Sequence, residues 1–586
     1  MLRRDEWVSL NGTWQFAIDP DGLLEDPQAV QWNAGIQVPF APETPASGVR
    51  DTSLFKACWY RRAVPAPNVP LDHRLLLHFG AVDYCATVWA NGRLVGRHEG
   101  GYTPFTCDIT GLALGGVLDV IVRAEDDPGD LAKPRGKQDW LKTPHSIWYE
   151  RTSGIWQTVW MEVVPPQWIA RIHWTPNLER WELACAVRIG GGPSEELRLA
   201  ITLASGGQIL ADDQYLVIGG EVHRRIALSD PGIDDYRNTL LWNPARPTLI
   251  DAELRLLDAA GRVVDVVHSY TALRSVAAEG DRFVLNGRPY ELRLVLDQGY
   301  WPDTGLTAPD DDAFRRDVEL AKAMGFNGVR KHQKIEDPRY LYWADRLGLL
   351  VWEEMPSAYR FTQDSIERTT REWMAVLARD HSHPCIVAWV PFNESWGVPN
   401  LPQNAAERHY VRALYHLTKT RDGTRPVIGN DGWESIATDI IGIHDYDADP
   451  ERLARRYHAN DREPLFPRRE RPGGRLLLLE GERNANEPIV LSEFGGITLA
   501  RDTKRTWGYS RASSAGDLAR HYAALLNAVR SIGLFAGFCY TQFSDTYQEA
   551  NGLLYANREP KMPLAMIAAA TTGAPRRRPR RQRGSH

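Results

Sequence analysis

The sequence predicts a multidomain protein in which two all-β regions precede a C-terminal (β/α)8 barrel of the TIM type. The chain has 586 residues, more than one ordinary domain contains. Its first half consists of short apolar runs separated by turn signals, with almost no helical periodicity, whereas its second half alternates strand-like and helix-like segments. These changes predict domains at 1–165, 166–275 and 276–574, followed by a basic tail at 575–586.

The first region, residues 1–165, is predicted to be a jelly-roll β-sandwich. Its clearest part is RLLLHFGAVDYCATVWANGRLVGRHEGG, in which apolar runs flank Asn91-Gly92. Asn-Gly between two such runs is typical of a tight hairpin turn. Further strand-like runs, VLDVIVRAED and GIWQTVWMEVV, follow without helical segments. An antiparallel double sheet explains this pattern.

The second region, residues 166–275, is predicted to be an immunoglobulin-like β-sandwich. Runs such as LRLAITLAS and AELRLLDAAGRVVDVVHSY recur along it. Their spacing of roughly 10–20 residues and the size of the region are typical of that fold.

The third region has the alternation expected of a barrel. Eight strands are predicted, at 290–297, 326–330, 348–353, 385–392, 426–430, 438–444, 488–493 and 534–541. Helical segments such as DDAFRRDVELAKAMG lie between most of them, and eight such units in this length are typical of a (β/α)8 barrel. The long segment 451–487, rich in Arg and Pro, is predicted to be an extended loop on the sixth βα unit, bordering the active site.

Composition limits the partners of the chain. The formal net charge is −6, so nothing global indicates binding to nucleic acid or to a membrane surface. The arginine-rich segment 575–586 is interpreted as a disordered tail rather than a nucleic-acid-binding arm, because no other region is basic. Neither a signal peptide nor a run of 18 apolar residues is present, which predicts a soluble, cytoplasmic protein. The six cysteines lack zinc-like spacing and are expected to be buried free thiols.

Two glutamates are the strongest candidates for chemistry. The apolar run of PCIVAWVPFNESWG, on the fourth predicted strand, ends at Asn393-Glu394, and that of PIVLSEFGG, on the seventh, ends at Glu493. Side chains at the carboxyl ends of barrel strands meet at one rim, where TIM-barrel active sites lie. Hydrolysis of a glycoside with retention requires two carboxyl groups about 5–5.5 Å apart, one protonated and one ionised. The sequence therefore predicts Glu394 and Glu493 as the two catalytic carboxyl groups.

Several long motifs in the same order resemble glycoside hydrolase family 2, the family of β-galactosidases, β-glucuronidases and β-mannosidases. They extend over roughly residues 6–572 and comprise LNGTWQF, WANGRLVGRHEGGYTPF, SGIWQTVWMEVV, LLWNPARPTL, GFNGVRKHQKIEDPRYLYWADRLGLLVWEEMP, RDHSHPCIVAWVPFNESWG, VLSEFGG and NGLLYANREPK. The resemblance places the family's Asn-Glu acid/base pair at Asn393 and Glu394 and its nucleophile at Glu493. It also implies that Arg330 holds the nucleophile ionised and that Asn393 binds the sugar 2-hydroxyl.

Further residues are expected to line the sugar site. Those at the ends of strands two and six are His332, His444 and Tyr446. Those proposed as stacking surfaces, with core packing as the alternative, are Trp352, Trp389, Trp396 and Tyr540. Those expected to approach the non-reducing end of the sugar are Asp297, Gln298 and Trp301. No metal-ligand cluster, phosphate-binding loop or dinucleotide motif is found, and retaining hydrolysis requires no cofactor beyond water.

The substrate is predicted from a departure from the family pattern. β-Glucuronidases of the family share an Asn-x-Lys motif at a position where this chain has Glu549 and Asn551. Without that lysine a uronic acid loses its expected charge partner, so a neutral hexoside or pentoside is favoured, with β-galactoside as the default. β-Glucuronide, β-mannoside and arabinoside remain alternatives.

Two other functions are compatible with the residues. A catalytically inactive carbohydrate-binding protein is the alternative from another class, although the retention of Glu394, Glu493, Asn393 and Arg330 together argues against it. A transglycosylase would use the same two glutamates. The resemblance also implies that the N-terminal sandwich lends a loop to the cleft, which favours exo action, and it allows a homo-oligomer.

Overall fold

The computed structural model describes residues 1–112, 116–192, 196–228, 239–457, 469–470, 473–479, 486–500 and 505–573. Within them the chain forms two β-sandwich regions and a parallel barrel, as the sequence predicts. The predicted tail at 575–586 lies outside the described residues.

The first region is built from a four-stranded and a six-stranded antiparallel sheet. Its strands are Val8–Ser9, Gly12–Asp19, Ala34–Val38, Ala57–Pro65, Arg74–Phe79, Val82–Asp83, Cys85–Ala90, Arg93–Glu99, Phe105–Asp108, Val117–Glu125, Gly154–Ile155 and Val159–Val164, with single 3-10 turns at Pro27–Ala29 and Pro45–Ser47. Alternate residues of the two sheets, such as Leu75, Leu77, Val120 and Val122, are fully buried in one core. This alternation of buried and exposed positions produces the period-two pattern of the sequence.

The second region contains a three-stranded and a four-stranded antiparallel sheet, which pack around Trp174, Leu199 and Leu254. Its strands are Trp168–Asn177, Glu182–Gly190, Arg198–Ser205, Gln208–Leu216, Glu221–Ala227, Ile250–Leu257 and Val263–Thr271. Seven strands in two sheets are the number found in a constant-type immunoglobulin sandwich.

The third region begins with the small strands Val276–Glu279, Arg282–Leu285 and Arg288–Pro289 and then forms the barrel. Seven parallel strands form one curled sheet. In chain order they are Leu292–Asp297, Gly328–Lys331, Leu350–Glu354, Ile386–Val390, Ile441–Asp445, Ile489–Gly495 and Phe535–Thr541. We number barrel positions one to four and six to eight accordingly.

The structure corrects the prediction of a strand at 426–430, which corresponds to barrel position five. The structure has no regular strand there; instead, Val427 makes a single parallel bridge to Trp389 of position four, and Asp431 makes one to Asn393, which follows that strand. Pro426 and Gly429 weaken a strand because proline lacks an N–H donor and glycine lacks a side chain to pack. The Asp439 carboxylate accepts the N–H of Val427 at 2.8 Å, so a side chain replaces part of the ladder.

Helices follow most barrel strands and pack on the outside. They are Asp311–Ala323, Pro338–Leu347, Gln363–Asp380, Ala405–Arg421, Pro450–Tyr457, Ala515–Ser531 and Leu564–Thr572. The segment 451–487 was predicted to be a loop, but it begins within the helix Pro450–Tyr457. Much of the rest of this segment lies outside the described residues. A short parallel pair, Ile497–Thr498 with Ser510–Arg511, completes the described strands.

A segment of the first region, residues 126–153, crosses onto the rim of the barrel. The backbone N–H groups of Arg135 and Gly136 both donate to the Ser357 carbonyl at 3.1 Å, and the Tyr359 hydroxyl donates to the Gly136 carbonyl at 2.6 Å. Gly136 has φ of +60°, and a Cβ there would lie 2.3 Å from the Gln333 carbonyl oxygen. Only glycine therefore permits this close approach of two backbones. We call 126–153 the docking segment.

Two further features concern the whole chain. All six cysteines are free thiols, and five of them are buried, as predicted. Among the helices of the described residues, none has the length and apolar character needed to cross a membrane.

Candidate active site

The predicted catalytic residues lie at one rim of the barrel. Asn393 and Glu394 follow position four, and Glu493 lies within position seven. His444 of position six is the register partner of Glu493. Because parallel strands end at the same edge, residues far apart in sequence converge there.

The two glutamates and His444 form a compact triad. One carboxylate oxygen of Glu394, one of Glu493 and a ring nitrogen of His444 all lie within 4.8 Å of one another. In retaining glycosidases the two carboxyl groups are about 5–5.5 Å apart, whereas inverting enzymes leave room for a water between more distant groups. The closeness of these oxygens is compatible with a retaining pair.

The backbone at Glu394 is strained. Glu394 and Ser395 have φ of +50° and +57°, in the left-handed region that side chains other than glycine rarely adopt. The Glu394 N–H donates to the Asp431 carbonyl at 3.0 Å, and the Ser395 N–H donates to Oδ1 of Asn430 at 2.9 Å. Strained residues persist where the surroundings fix them, which is common at active sites.

Arg330 of position two is fully buried at the centre of the rim. Its three guanidinium nitrogens contact four side chains: Oε2 of Glu354 at 2.7 Å, Oε1 of Glu493 at 2.7 Å, Oδ1 of Asn393 at 2.6 Å and Oδ2 of Asp431 at 3.1 Å. The planar fork of arginine suits such fixed, multiple contacts. Arg330 of position two thus joins residues at the ends of positions three, four, five and seven.

Glu493 is held in its ionised form. Burial alone would raise its pKa, but the charges of His444 and Arg330 outweigh that effect and lower the pKa to about 2. The Tyr446 hydroxyl also donates to Oε2 of Glu493 at 2.5 Å. An ionised carboxylate with a fixed orientation is what nucleophilic attack on a sugar requires.

His444 lies between the carboxylates. Its Nδ1 is 2.7 Å from Oε1 of Glu394 and 3.4 Å from Oε2 of Glu493, while Nε2 is 3.4 Å from Oδ2 of Asp431. Burial would lower the pKa of His444, but the charge of Glu493 and the contacts with Asp431 and Glu394 raise it to about 10. The ring is therefore a cation that offsets part of the negative charge of the rim.

The amide oxygen of Asn393 has a hydrogen-bond partner, whereas its amide nitrogen has none among the residues that the structure describes. Its Oδ1 accepts from Arg330, so its Nδ2 group, which can donate two hydrogen bonds, points away from that contact. This orientation is compatible with donation to a sugar hydroxyl, the role that the sequence predicts.

Partly exposed aromatic rings border the acid/base. Trp396 contacts Trp148 at 5.8 Å, Tyr359 at 5.3 Å and Trp433 at 6.3 Å between ring centroids. Trp140 of the docking segment extends the group by contacting Trp148 at 4.8 Å. We call these five rings the aromatic wall. Trp396 follows Glu394 by two residues, which places the wall on the Glu394 side of the site.

Other predicted sugar-binding residues have structural partners. The Asp297 carboxylate is paired with Lys331 at 2.7 Å, and Trp301 is buried against Phe314, Lys334 and Arg558. Fully buried rings, in the barrel core, are those of Trp352, Trp389 and Tyr540. For these residues the structure shows core or ion-pair contacts, and direct contact with a sugar stays a prediction. His332 is buried beside Glu354, with Nδ1 3.1 Å from Oε1.

Comparison with known proteins identifies the family. The profile described as "Glycosyl hydrolases family 2, TIM barrel domain" matches residues 276–572, and that described as "Glycosyl hydrolases family 2, sugar binding domain" matches residues 38–125. The chain belongs to glycosyl hydrolase family 2.

Similar members of glycosyl hydrolase family 2 are named for different activities. A β-galactosidase of Thermoanaerobacter pseudethanolicus is 26% identical over 384 residues, 63% of this chain and 48% of that protein. A putative β-glucuronidase of Formosa agariphila is 26% identical over 351 residues, 58% of this chain and 40% of that protein. The aligned regions thus span less than half the length of these two relatives. A solved β-glucuronidase of Bifidobacterium dentium, in complex with coumarin-3-O-glucuronide, covers 98% of both chains with a TM-score of 0.78 at 21% identity, which shows a shared fold.

Several residues of this family 2 site were not predicted. They are Glu354, which ends position three; Asp431, which follows the predicted strand 426–430; and Tyr509, whose ring stacks on Tyr446 at 3.4 Å. Acidic residues at predicted strand ends were a signal for Glu354 and Asp431, since the same rule found Glu394 and Glu493. Tyr509 lies in an irregular segment and has no such signal.

Two clusters of described residues have the donor atoms of a metal site. The first is the triad of Glu394, His444 and Glu493; the second, remote from it, comprises Asp345, His383 and Cys385. In the second, Nδ1 of His383 is 2.6 Å from Oδ2 of Asp345, whose Oδ1 accepts the Cys385 N–H at 2.8 Å. Mutual hydrogen bonds thus account for the arrangement of these groups without an ion.

Proposed function

We propose that the chain is a retaining exo-glycosidase that removes a terminal non-reducing sugar, with Glu493 as nucleophile and Glu394 as acid/base. The observation that carries the proposal is the pair of close carboxylates with unequal surroundings: Glu493 contacts Arg330 and the Tyr446 hydroxyl, whereas Glu394 contacts His444. Two carboxyl groups whose environments differ can take separate roles as acid and nucleophile.

The first step forms a covalent intermediate. A carboxylate oxygen of Glu493 attacks the anomeric carbon while the bond from that carbon to the leaving oxygen breaks. Glu394 gives its proton to the leaving oxygen, so the aglycone departs as an alcohol. The product of this step is a glycosyl ester of Glu493 and an ionised Glu394.

The second step restores the enzyme. Ionised Glu394 takes a proton from a water molecule, and the water oxygen attacks the anomeric carbon. The ester bond to Glu493 breaks, which releases the sugar with its original anomeric configuration. A sugar hydroxyl in place of water would give transglycosylation with the same residues.

The surrounding charges suit a transition state with positive character on the sugar. Glu394, Glu493 and Asp431 lie around the two cations Arg330 and His444. Glu354 adds a further carboxyl group, whose pKa burial raises to about 7 against the opposing effect of Arg330. Glu394 carries a proton in the first step, so the ionised Glu493 is the carboxylate that stabilises an oxocarbenium-like sugar more than the neutral substrate, which is the requirement for catalysis.

The docking segment and the names of the two relatives guide the substrate assignment. Trp148 and Tyr149 of the first region border the site, so the cleft is closed on one side, which favours cleavage of a terminal sugar. The relatives named above are a β-galactosidase and a putative β-glucuronidase. We assign a β-galactoside as the first substrate to test, with β-glucuronide, β-mannoside and arabinoside as alternatives.

The test compares the unmodified chain with Glu394→Ala and Glu493→Ala on p-nitrophenyl glycosides of these four sugars. Glu319→Ala, on the exposed face of a helix, is the matched control. We expect both site variants to lose activity by at least about 10⁴-fold, the order seen when a catalytic nucleophile is removed, while the control stays active. Azide should restore Glu493→Ala and yield a glycosyl azide of inverted configuration.

Three outcomes would overturn the assignment. Turnover that survives in both site variants would place the chemistry elsewhere. Azide rescue of Glu394→Ala with inversion would exchange the two roles. Sugar binding by calorimetry without turnover of any tested glycoside would favour the inactive binding protein.

A further inference from the structure

Tyr446 contacts the nucleophile through its hydroxyl, and its ring has one aromatic partner. The hydroxyl donates to Oε2 of Glu493 at 2.5 Å and lies 3.1 Å from Oγ1 of Thr541. The ring is parallel to that of Tyr509, with 5° between the planes and 3.4 Å between the centroids. Among the residues that the structure describes, no other aromatic ring stacks on Tyr446 or meets its edge. Tyr509 therefore covers one face of the residue that orients Glu493.

The backbone around Tyr509, rather than attraction between the rings, fixes this stack. Aromatic pairs prefer offset or perpendicular arrangements with centroids about 4.5–7 Å apart, so two free rings would not adopt so close a parallel pair. The Tyr509 N–H donates to the Gly496 carbonyl at 2.9 Å, and the Ala512 N–H donates to the Thr498 carbonyl at 2.9 Å. These bonds join the residues around Tyr509 to the part of the chain that directly follows the nucleophile strand.

Trp507 joins the same segment to the first region. Its N–H donates to the Gln548 carbonyl at 2.9 Å, and Nε1 of its ring donates to the Ser146 carbonyl of the docking segment at 2.8 Å. The Trp507 and Tyr509 rings meet edge to face, with centroids 5.4 Å apart and planes at 75°. Tyr509 thus lies between a ring that is bonded to the docking segment and a ring whose hydroxyl contacts the nucleophile.

Gly496 leaves the space that Tyr509 occupies. It has φ of +62°, and a Cβ there would lie 2.4 Å from Cδ2 of Tyr509, closer than two carbon atoms approach without a bond. Glycine therefore allows the ring to lie beside the end of the strand that carries Glu493. Tyr509 is nevertheless 43% exposed. The ring is thus a cover on Tyr446 and not a part of the barrel core.

We infer that Tyr509 is a positioning residue for the nucleophile and that it acts through Tyr446. The inference rests on the proposed glycosidase function. Rotation about the side-chain bonds of Tyr446 would carry its hydroxyl away from Glu493, and a ring packed against its face opposes that rotation. With the hydroxyl held, the carboxylate of Glu493 keeps the orientation needed for attack on the anomeric carbon, and a misplaced reacting group is costly for the rate.

The test compares Tyr509→Ala, which removes the ring, with Tyr509→Phe, which removes only the hydroxyl. Tyr446→Phe and the double variant of Tyr446→Phe with Tyr509→Ala complete the set. The substrate is the p-nitrophenyl glycoside that the unmodified chain cleaves fastest among the four named above. The matched control is Trp7→Ala, which removes a ring of the first region that is 52% exposed. Rates are measured where thermal melting shows every variant to be folded, and Tyr509→Leu replaces Tyr509→Ala if the latter does not fold.

The expected losses depend on whether the Tyr446 hydroxyl is present. Tyr509→Ala should lower kcat/KM by about 5–10-fold, the size of one aromatic pair contact. Tyr509→Phe and Trp7→Ala should retain most of the activity, because the stack remains in both. Tyr446→Phe should lower kcat/KM by about 10–100-fold, the size of a lost hydrogen bond to a charged group. Added to Tyr446→Phe, Tyr509→Ala should cause almost no further loss, because no hydroxyl is left to position.

Two further measurements separate positioning of the nucleophile from binding of the sugar and from loss of fold. The inhibition constant of the corresponding p-nitrophenyl 1-thioglycoside, which binds without being cleaved, should be unchanged in Tyr509→Ala. The rate at which a 2-fluoro glycoside labels Glu493 should fall by the same factor as kcat/KM, because labelling is the attack step itself. Partial unfolding would instead lower the final extent of labelling and leave its rate unchanged.

Four results would overturn the inference. Tyr509→Ala could leave kcat/KM unchanged, or it could cause the same loss with and without the Tyr446 hydroxyl. Tyr509→Phe could be as impaired as Tyr509→Ala, which would assign the effect to the Tyr509 hydroxyl. A loss of thioglycoside affinity equal to the loss of kcat/KM would make Tyr509 a sugar-binding residue. In each case labelling of Glu493 in the unmodified chain would leave the proposed function intact, whereas absence of labelling there would reject both.

Discussion

Arg330 and Lys331 are neighbours on one barrel strand, yet they belong to two buried charge networks of different kinds. Side chains alternate across a strand, so Arg330 points into the barrel and Lys331 points out toward the helices. Inside, Arg330 contacts Glu354, Glu493 and Asp431. Outside, Lys331 contacts Asp297 and Glu336, each at 2.7 Å.

The outer network is balanced and closed. Its second cation, Lys334, contacts Oε1 of Glu336 at 2.8 Å and the carbonyls of Gly299 and Leu306 at 2.7 and 2.8 Å. Two lysines thus meet two carboxylates, and the backbone satisfies further donors. Such a network fixes the loop after the first barrel strand to the second.

The inner network contains more carboxyl groups than cations and opens toward the site. The comparison of the two networks shows that burial of a charged group is not by itself evidence of a functional role. What separates the two networks is that the inner one includes Glu493 and, through His444, the part-exposed Glu394, whereas Lys331, Asp297 and Glu336 contact one another. Substitution of Arg330 and substitution of Lys331 therefore provide a direct test. The two residues are adjacent in sequence, but we expect the first change to affect catalysis and the second to affect stability.

The largest effect is expected for Arg330→Met. Loss of the guanidinium leaves Glu493 without one of the two cations that lower its pKa most, and it frees the Asn393 amide. We expect kcat/KM to fall by about 10³-fold, as when a group that stabilises a developing charge is removed. Steady-state kinetics with Arg330→Lys as control, which keeps the charge but not the fork, should give an intermediate value. Unchanged kinetics in Arg330→Met would contradict the assignment of a catalytic role to the inner network and a structural role to the outer one.

Lys331→Met should instead change stability. Removal of one cation leaves Asp297 with an uncompensated buried charge, which costs roughly 3–5 kcal/mol in the free energy of unfolding. Denaturant unfolding measures that loss, and kcat at a temperature where the variant is folded should be close to that of the original chain. A fall in kcat without loss of stability would show that the outer network also serves the site.

His444→Asn sharpens the comparison by removing the second inner cation. Burial alone would raise the pKa of Glu493, and His444 is the largest contribution that lowers it to about 2. Without that charge the pKa of Glu493 rises, so the ionised nucleophile is lost at a higher pH as the solution is acidified. The acidic limb of kcat/KM against pH should move up by roughly 1–3 units. An unmoved limb would mean that Arg330 alone holds Glu493 ionised.

The smallest effect is expected for Trp396→Ala, which lies outside both networks. Loss of the ring should lower kcat/KM by about 5-fold for a p-nitrophenyl glycoside, the size of one aromatic contact. The corresponding methyl glycoside, whose leaving group has no ring, should be affected less. Equal losses on both substrates would argue against a leaving-group role for the aromatic wall.

The sequence predicted the fold class because period-two and alternating strand–helix patterns are local. Seven of eight barrel strands are found close to the predicted positions, and the exception, 426–430, replaces ladder bonds with the Asp439 side chain, a contact that no local pattern encodes. Glu394 and Glu493 were predictable because strand ends share one rim. Whether a strand-end residue such as Asp297 faces the site or the helices depends on side-chain direction at the end of the strand, which the sequence did not indicate.

The docking segment joins two separately encoded parts of the polypeptide at the rim of the barrel. The barrel holds Glu394 and Glu493, while the first sandwich places Trp148 against Trp396 and the Tyr149 hydroxyl on Glu549. Gly136 permits the close backbone approach at this junction. A larger residue at position 136 would therefore disturb the surroundings of Glu394 from a domain that contains neither of the two glutamates.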